Sequence, residues 1–223
     1  MLRRLSSRPL LAAVAGAFWA PGLFEIDDDG LAVVVGDERL SMSKLDALAD
    51  AGCTYLATAA ASQGSEAPSQ GAVRQILVTQ ELQLAGSRLL SEELELDVPR
   101  SRWALGAEDL QQLETMFRGR ADDVQEILER DFESQALRTA IGADVTGTAV
   151  TQENSEQLLQ SGTEAVVEEL RRVDASVDPR FGLDAEGQPD PGLSLSASRE
   201  QLAQEDPATV PANQRCRGVE SSE

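Results

Sequence analysis

The chain contains no histidine among its 223 residues, so the chemistry that imidazole usually supplies is missing. That removes Ser-His-Asp and Cys-His catalysis, His-ligated zinc and histidine pH switching together. Two cysteines are present, Cys53 and Cys216, and they form no CxxC pair of the kind that a metal knuckle or a thioredoxin-like site needs. In an oxidising compartment they can form one bridge from the tail to the first helix; otherwise they are two free thiols, one buried and one in the tail. Carboxylates are abundant. Asp27-Asp28-Asp29-Gly30 has the residue types of a calcium loop, but its acids are consecutive and no glutamate closes it, so it reads as a solvated turn. Glu92-Glu93 and Glu168-Glu169 have the form of acid/base pairs, yet acids this numerous on amphipathic helices usually make a solvated face. No Walker loop, GxGxxG, GxSxG or HExxH sequence occurs. The expectation is a protein with no catalytic residue, no metal and no cofactor.

Charge narrows the partners. With 19 Lys+Arg against 39 Asp+Glu the formal net charge is −20. Backbone binding to nucleic acid needs arginine and lysine to neutralise phosphates, so nucleic acid is excluded as a partner, and an anionic membrane surface is disfavoured for the same reason. The hydrophobic share of 41% is enough for a buried core, while five Phe, two Trp and one Tyr leave little for stacking.

Residues 1–24 differ from the rest. Arg3, Arg4 and Arg8 make a positive start, and 10–24 (LLAAVAGAFWAPGLF) is uncharged and apolar. That run is short for a spanning helix and suits the apolar centre of a signal peptide. Export is the expected reading, with no lipid-attachment cysteine after the run.

The elements that must carry any function are mainly helical. Leu31 to Val35 (LAVVV) reads as a strand ending at the turn Gly36-Asp37, and Ser41 or Ser43 offers an N-cap for a first helix. Leu45, Ala49, Cys53, Leu56 and Ala60 recur at helical spacing, which turns Cys53 inward. Residues 72–96 carry two apolar stripes, the pattern of a central helix, with Gly86 as a weak point and Pro99 as its stop. Helices are expected over 107–117, 122–141 and 152–172, with Gly142 and Gly147 framing a loop between the last two. Residues 173–177 alternate as a half-buried strand and are expected to pair with 31–35 in a two-stranded sheet. Five of nine prolines fall between Pro179 and Pro211, so 183–223 reads as an irregular tail without its own core.

Taken in order, these pieces resemble a known pattern. Val33 to Ser41 fits "x-V-x-G-x-x-I/L-S/T", and Leu77-Val78-Thr79-Gln80-Glu81-Leu82 fits "LV-x-x-E-L". Val177-Asp178-Pro179-Arg180-Phe181-Gly182 fits "V-(N/D)-P-R-(F/Y)-G", and Pro211-Ala212-Asn213-Gln214-Arg215-Cys216 fits "P-A-x-Q-(R/K)-C". The chain thus resembles the SurA N-terminal-like domain of extracytoplasmic chaperones, in its short actinobacterial exported form without a parvulin domain. The resemblance implies a helical domain over 31–182, pairing of Cys53 with Cys216, and a chaperone-like role in holding unfolded or exported polypeptides. It does not imply prolyl isomerase activity, which in larger relatives resides in a separate domain that typically uses histidines. A cell-envelope scaffold with one partner is the alternative. A polypeptide-binding surface needs exposed apolar side chains, for which Trp103, Met116, Phe117 and Phe132 are the candidates, with ordinary core packing as the competing role.

Overall fold

The computed structural model describes residues 30–190, 192 and 210–218. The signal-like segment and Asp27-Asp28-Asp29 lie outside them.

Gly36, at φ 57°, makes the turn that folds β1 (Leu31–Val35) back on β2 (Glu38–Ser41). The last strand, β3 (Ser176–Val177), pairs antiparallel with the other edge of β1, with Val33 opposite Val177 and Val34 opposite Ser176. The sheet order is therefore β2-β1-β3: the expected pairing of first and last strands holds, and a third strand joins it. ERLS in β2 carries one apolar residue, Leu40, and a single inward side chain makes no alternation to read.

Ser41 ends β2 and caps α1 (Met42–Ser62), its hydroxyl accepting from the Lys44 N–H at 3.2 Å. The same arrangement starts α2 (Gln70–Glu93), where Ser69 accepts from the Ala72 N–H at 3.0 Å. α2 packs against α1, β1 and two later helices, α4 (Ala121–Thr146) and α5 (Ser155–Arg172), as its two apolar stripes require. Val78 and Leu82 on one stripe and Val73 and Leu84 on the other are covered, whereas Ile76, on the stripe of Val73 and Leu84, faces out. Gly86 is the point where α5 presses on α2: a Cβ there would lie 3.0 Å from both Leu170 and Val166 side chains.

α3 (Ala107–Met116) is short, and α4 (Ala121–Thr146) runs past the expected end at Ile141. Gly142 lies inside α4, with the left-handed Gly147 closing the helix. The glycine at 142 serves a helix crossing. A Cβ on it would fall 1.9 Å from the Leu158 carbonyl oxygen of α5 (Ser155–Arg172), and one on Gly162 would fall 1.8 Å from the Arg138 carbonyl oxygen. Two glycines let the α4 and α5 backbones touch, a contact that any side chain would prevent.

The VDPRFG stretch folds as a latch. The Asp178 N–H donates to the Ala32 carbonyl at 2.9 Å, continuing the sheet edge. The Asp178 carboxylate accepts from the Arg180 N–H and guanidinium at 2.8 to 3.0 Å, capping a 3-10 turn over Pro179–Phe181. Phe181 is buried and its carbonyl accepts from the Gln75 side chain at 2.8 Å. Beyond it, Leu183, Val210 and Cys216 are buried, so these tail residues add to the burial of the helical domain.

Arginine–carboxylate pairs tie the helix ends. Arg88 of α2 grips Glu133 of α4 through two bonds of 2.8 Å, and Arg130 pairs with Glu81. Arg172 bridges Glu169 and Glu93, joining the ends of α5 and α2. Glu169 is 6% exposed, so this acid is enclosed and paired where its sequence reads as part of a solvated face.

Candidate functional site

Leu113 is the one buried residue of α3. Burying one leucine contributes about 1.5–3 kcal/mol, and a ten-residue helix is too short to persist by itself. α3 is thus held mainly by its neighbour α4 and by its two connections, and it stands off α1.

The space left is an apolar trough of about 300 Å³ between α1 and α3. Tyr55 and Ala59 line it from α1, Leu113 and Met116 from α3, and Leu105 and Leu128 from the neighbouring connection and α4. Among the described residues, Asp109 is its one charged lining residue. A second depression of about 310 Å³ lies beside it, lined by Trp103, Phe132 and Ala136 among others. Leu105 and Asp109 border both, so the two form adjoining parts of one face.

The connection 94–106 positions this face. Glu95 reverses the chain at φ 53°, and Pro99 leads into a 3-10 turn over Arg100–Arg102. Glu129 of α4 accepts from Arg100 at 3.0 Å and from the Leu105 N–H at 3.4 Å. Burial pushes the Glu129 carboxyl up, but hydrogen bonds from Gln125, Arg100 and Leu105 outweigh it and hold the group below its ordinary range. The Arg100 guanidinium also lies over the Trp103 ring, 5.3 Å from its centroid. At the start of α3, Asp109 accepts from the Gly106 N–H at 3.1 Å, so its carboxylate both caps the helix and marks the trough's rim.

All four residues singled out from the sequence border this region, in different ways. Met116 is 43% exposed and Phe132 37%, so both present apolar surface to solvent. Trp103 is half-buried. Phe117 is 2% exposed and its ring packs on Tyr55 at 5.9 Å, so it is a core residue that touches the trough from inside. Tyr55, Leu105 and Leu128 are lining residues that the sequence reading did not single out. Tyr55 sits one position off the apolar stripe of α1, and Leu105 belongs to a connection with no periodicity to read.

Elsewhere, Cys53 of α1 and Cys216 are joined by a disulfide, with Cα atoms 4.8 Å apart. Backbone bonds from Gln70 to Gln214 and from Cys216 to Pro68, both 2.9 Å, hold the bridged segment along the start of α2. A disulfide-bonded pair fits an oxidising, extracytoplasmic location. Among the described residues, no helix is long and apolar enough to cross a membrane, and no cluster of three metal-ligating side chains occurs. No family model, curated protein or solved structure matches the chain.

Proposed function

We propose that this chain is an exported, chaperone-like protein that binds unfolded or partner polypeptides without catalysis, using the face between α1, α3 and α4. The observation that carries the reading is the trough itself. It is apolar, it displays the exposed thioether of Met116, and one wall is a helix anchored by a single buried leucine. A flexible thioether and a lightly held wall let one surface accommodate differing side chains. The occupant that fits is an extended, neutral-to-basic apolar segment, because Asp109 is the one charged group lining the trough among the described residues and the chain carries −20. The high negative charge also keeps a protein that binds sticky chains from associating with itself. The resemblance to SurA N-terminal-like domains points the same way.

The test is light scattering of several unrelated, chemically unfolded proteins at near-stoichiometric ratios. Suppression of aggregation across them, largely lost in Met116→Glu, supports the reading. Protection of none, with one envelope protein held tightly in a pull-down, would replace it with the scaffold role.

A further inference from the structure

Three arginines meet at the disulfide. Arg118 and Arg120 flank Gly119 in the turn between α3 and α4, where φ is 75°. Arg217 follows the bridged Cys216 and is brought to the same place by its bond to α1. With Asp50, Thr54 and Gln70 they line a pocket of about 400 Å³, which the bridged sulfurs' residues border.

This concentration runs against the rest of the molecule. Most other arginines described are tied to carboxylates: Arg74 to Asp46, Arg88 to Glu133, Arg130 to Glu81, Arg171 to Glu186. Among the described residues, Arg118 and Arg217 form no ion pair, and Arg120 reaches only Asp50, at 4.0 Å. Among the described residues the pocket thus carries three guanidinium groups against one carboxylate, in a chain where acids outnumber bases 39 to 19. Like charges held together repel, and the arrangement becomes favourable when an anion sits among them. Guanidinium groups suit that role because their planar forks donate in pairs to carboxylate and phosphate oxygens.

We propose that this pocket binds a multiply charged oxyanion of the phosphate class, independently of the apolar trough. Phe117 is the one residue shared by the two, and its buried ring separates them. The Thr54 hydroxyl, 3.4 Å from the Arg120 guanidinium, and the Gln70 side chain supply neutral polar groups beside the arginines.

The experiment is an amide NMR titration of the oxidised full chain with inorganic phosphate at constant ionic strength, balanced with chloride. The expected result is saturable shifts at residues 118–120 and 217–218. They should weaken at least tenfold in the Arg118→Gln/Arg217→Gln variant and persist in Arg39→Gln/Arg102→Gln. The acids that follow in the chain are tested as competing occupants by Glu220→Gln/Glu223→Gln, which should leave phosphate affinity unchanged or raise it. Shifts that do not saturate, or that are equal in the two arginine variants, overturn the site. The spectra of the variants, matching the parent elsewhere, show that the fold is intact.

Discussion

Arg100 and Glu129 meet at 3.0 Å across the face proposed to bind polypeptide, and the same carboxylate takes the Leu105 N–H. One side chain of α4 thereby sets the path of the connection that delivers Trp103 and Leu105. Glu129 is 12% exposed at its side chain, so its hydrogen bonds are only partly shared with water. Glu129→Gln should cost about 1–2 kcal/mol in denaturant unfolding, because its bonds are charge-assisted but the Arg100 partner stands largely in water. It should weaken binding of apolar peptides more than that loss implies, because the trough's edge is released. Unchanged peptide affinity would separate Glu129 from the binding face.

The glycine crossing of α4 and α5 gives the sharpest stability prediction. A methyl group on Gly142 or Gly162 would overlap backbone, which no side-chain rotation relieves. Gly162→Ala should therefore cost about 3 kcal/mol or more, at the upper end for overpacking. Circular dichroism melts would show it as a large fall in Tm. A loss within 1 kcal/mol would mean that the helices do not approach this closely.

The disulfide spans 163 residues of sequence. On chain-entropy grounds a bridge closing so long a loop stabilises by up to about 5 kcal/mol, with about 2–4 kcal/mol typical. Cys53→Ser/Cys216→Ser should lose stability on that scale and expose 210–218 to protease before the helices unfold. Simultaneous cleavage throughout the chain would show that the segment is not a separable clamp.

Acid should destabilise the fold through three named carboxylates. The Arg180 guanidinium holds Asp178 below its ordinary value of 3.8, and Arg171 does the same for Glu186, ordinarily 4.5. Glu129 is lowered by its hydrogen bonds. Each carboxylate binds a proton more readily in the unfolded chain, so its stabilisation is complete above the ordinary value and lost as pH falls through the lower folded one. Thermal melts should be flat with respect to these groups near neutrality and should decline below about pH 4.5. The triple variant Glu129→Gln/Asp178→Asn/Glu186→Gln should flatten that decline; an identical acid profile would assign it elsewhere.

Much of the architecture is legible from spacing alone. Cys53 turns inward because Leu45, Ala49 and Cys53 share a helical stripe, and all three are buried. The two stripes of α2 do foretell a central helix. The misreadings have a common physical origin: a residue type whose local preference is overruled by a distant neighbour. Gly142 ends helices in isolation, yet here α5 demands a backbone without a side chain. Glu169 looks solvated until Arg172 folds back over it. Leu105 and Tyr55 acquire their place only when α3 settles across the trough from α1, and no short-range pattern encodes that arrangement. Arg217 lies about a hundred residues from Arg118 and Arg120 in sequence, and the disulfide at its neighbour Cys216 brings it beside them.

Polypeptide binding at the α1–α3 trough is tested most directly by site-specific photo-cross-linking. A benzoylphenylalanine placed at Met116 should cross-link to an unfolded, neutral-to-basic client. The same group at Val145, a 59% exposed apolar position at the far end of α4, should not. Equal cross-linking at both positions, or none at 116 while aggregation is still suppressed, would contradict binding through the trough.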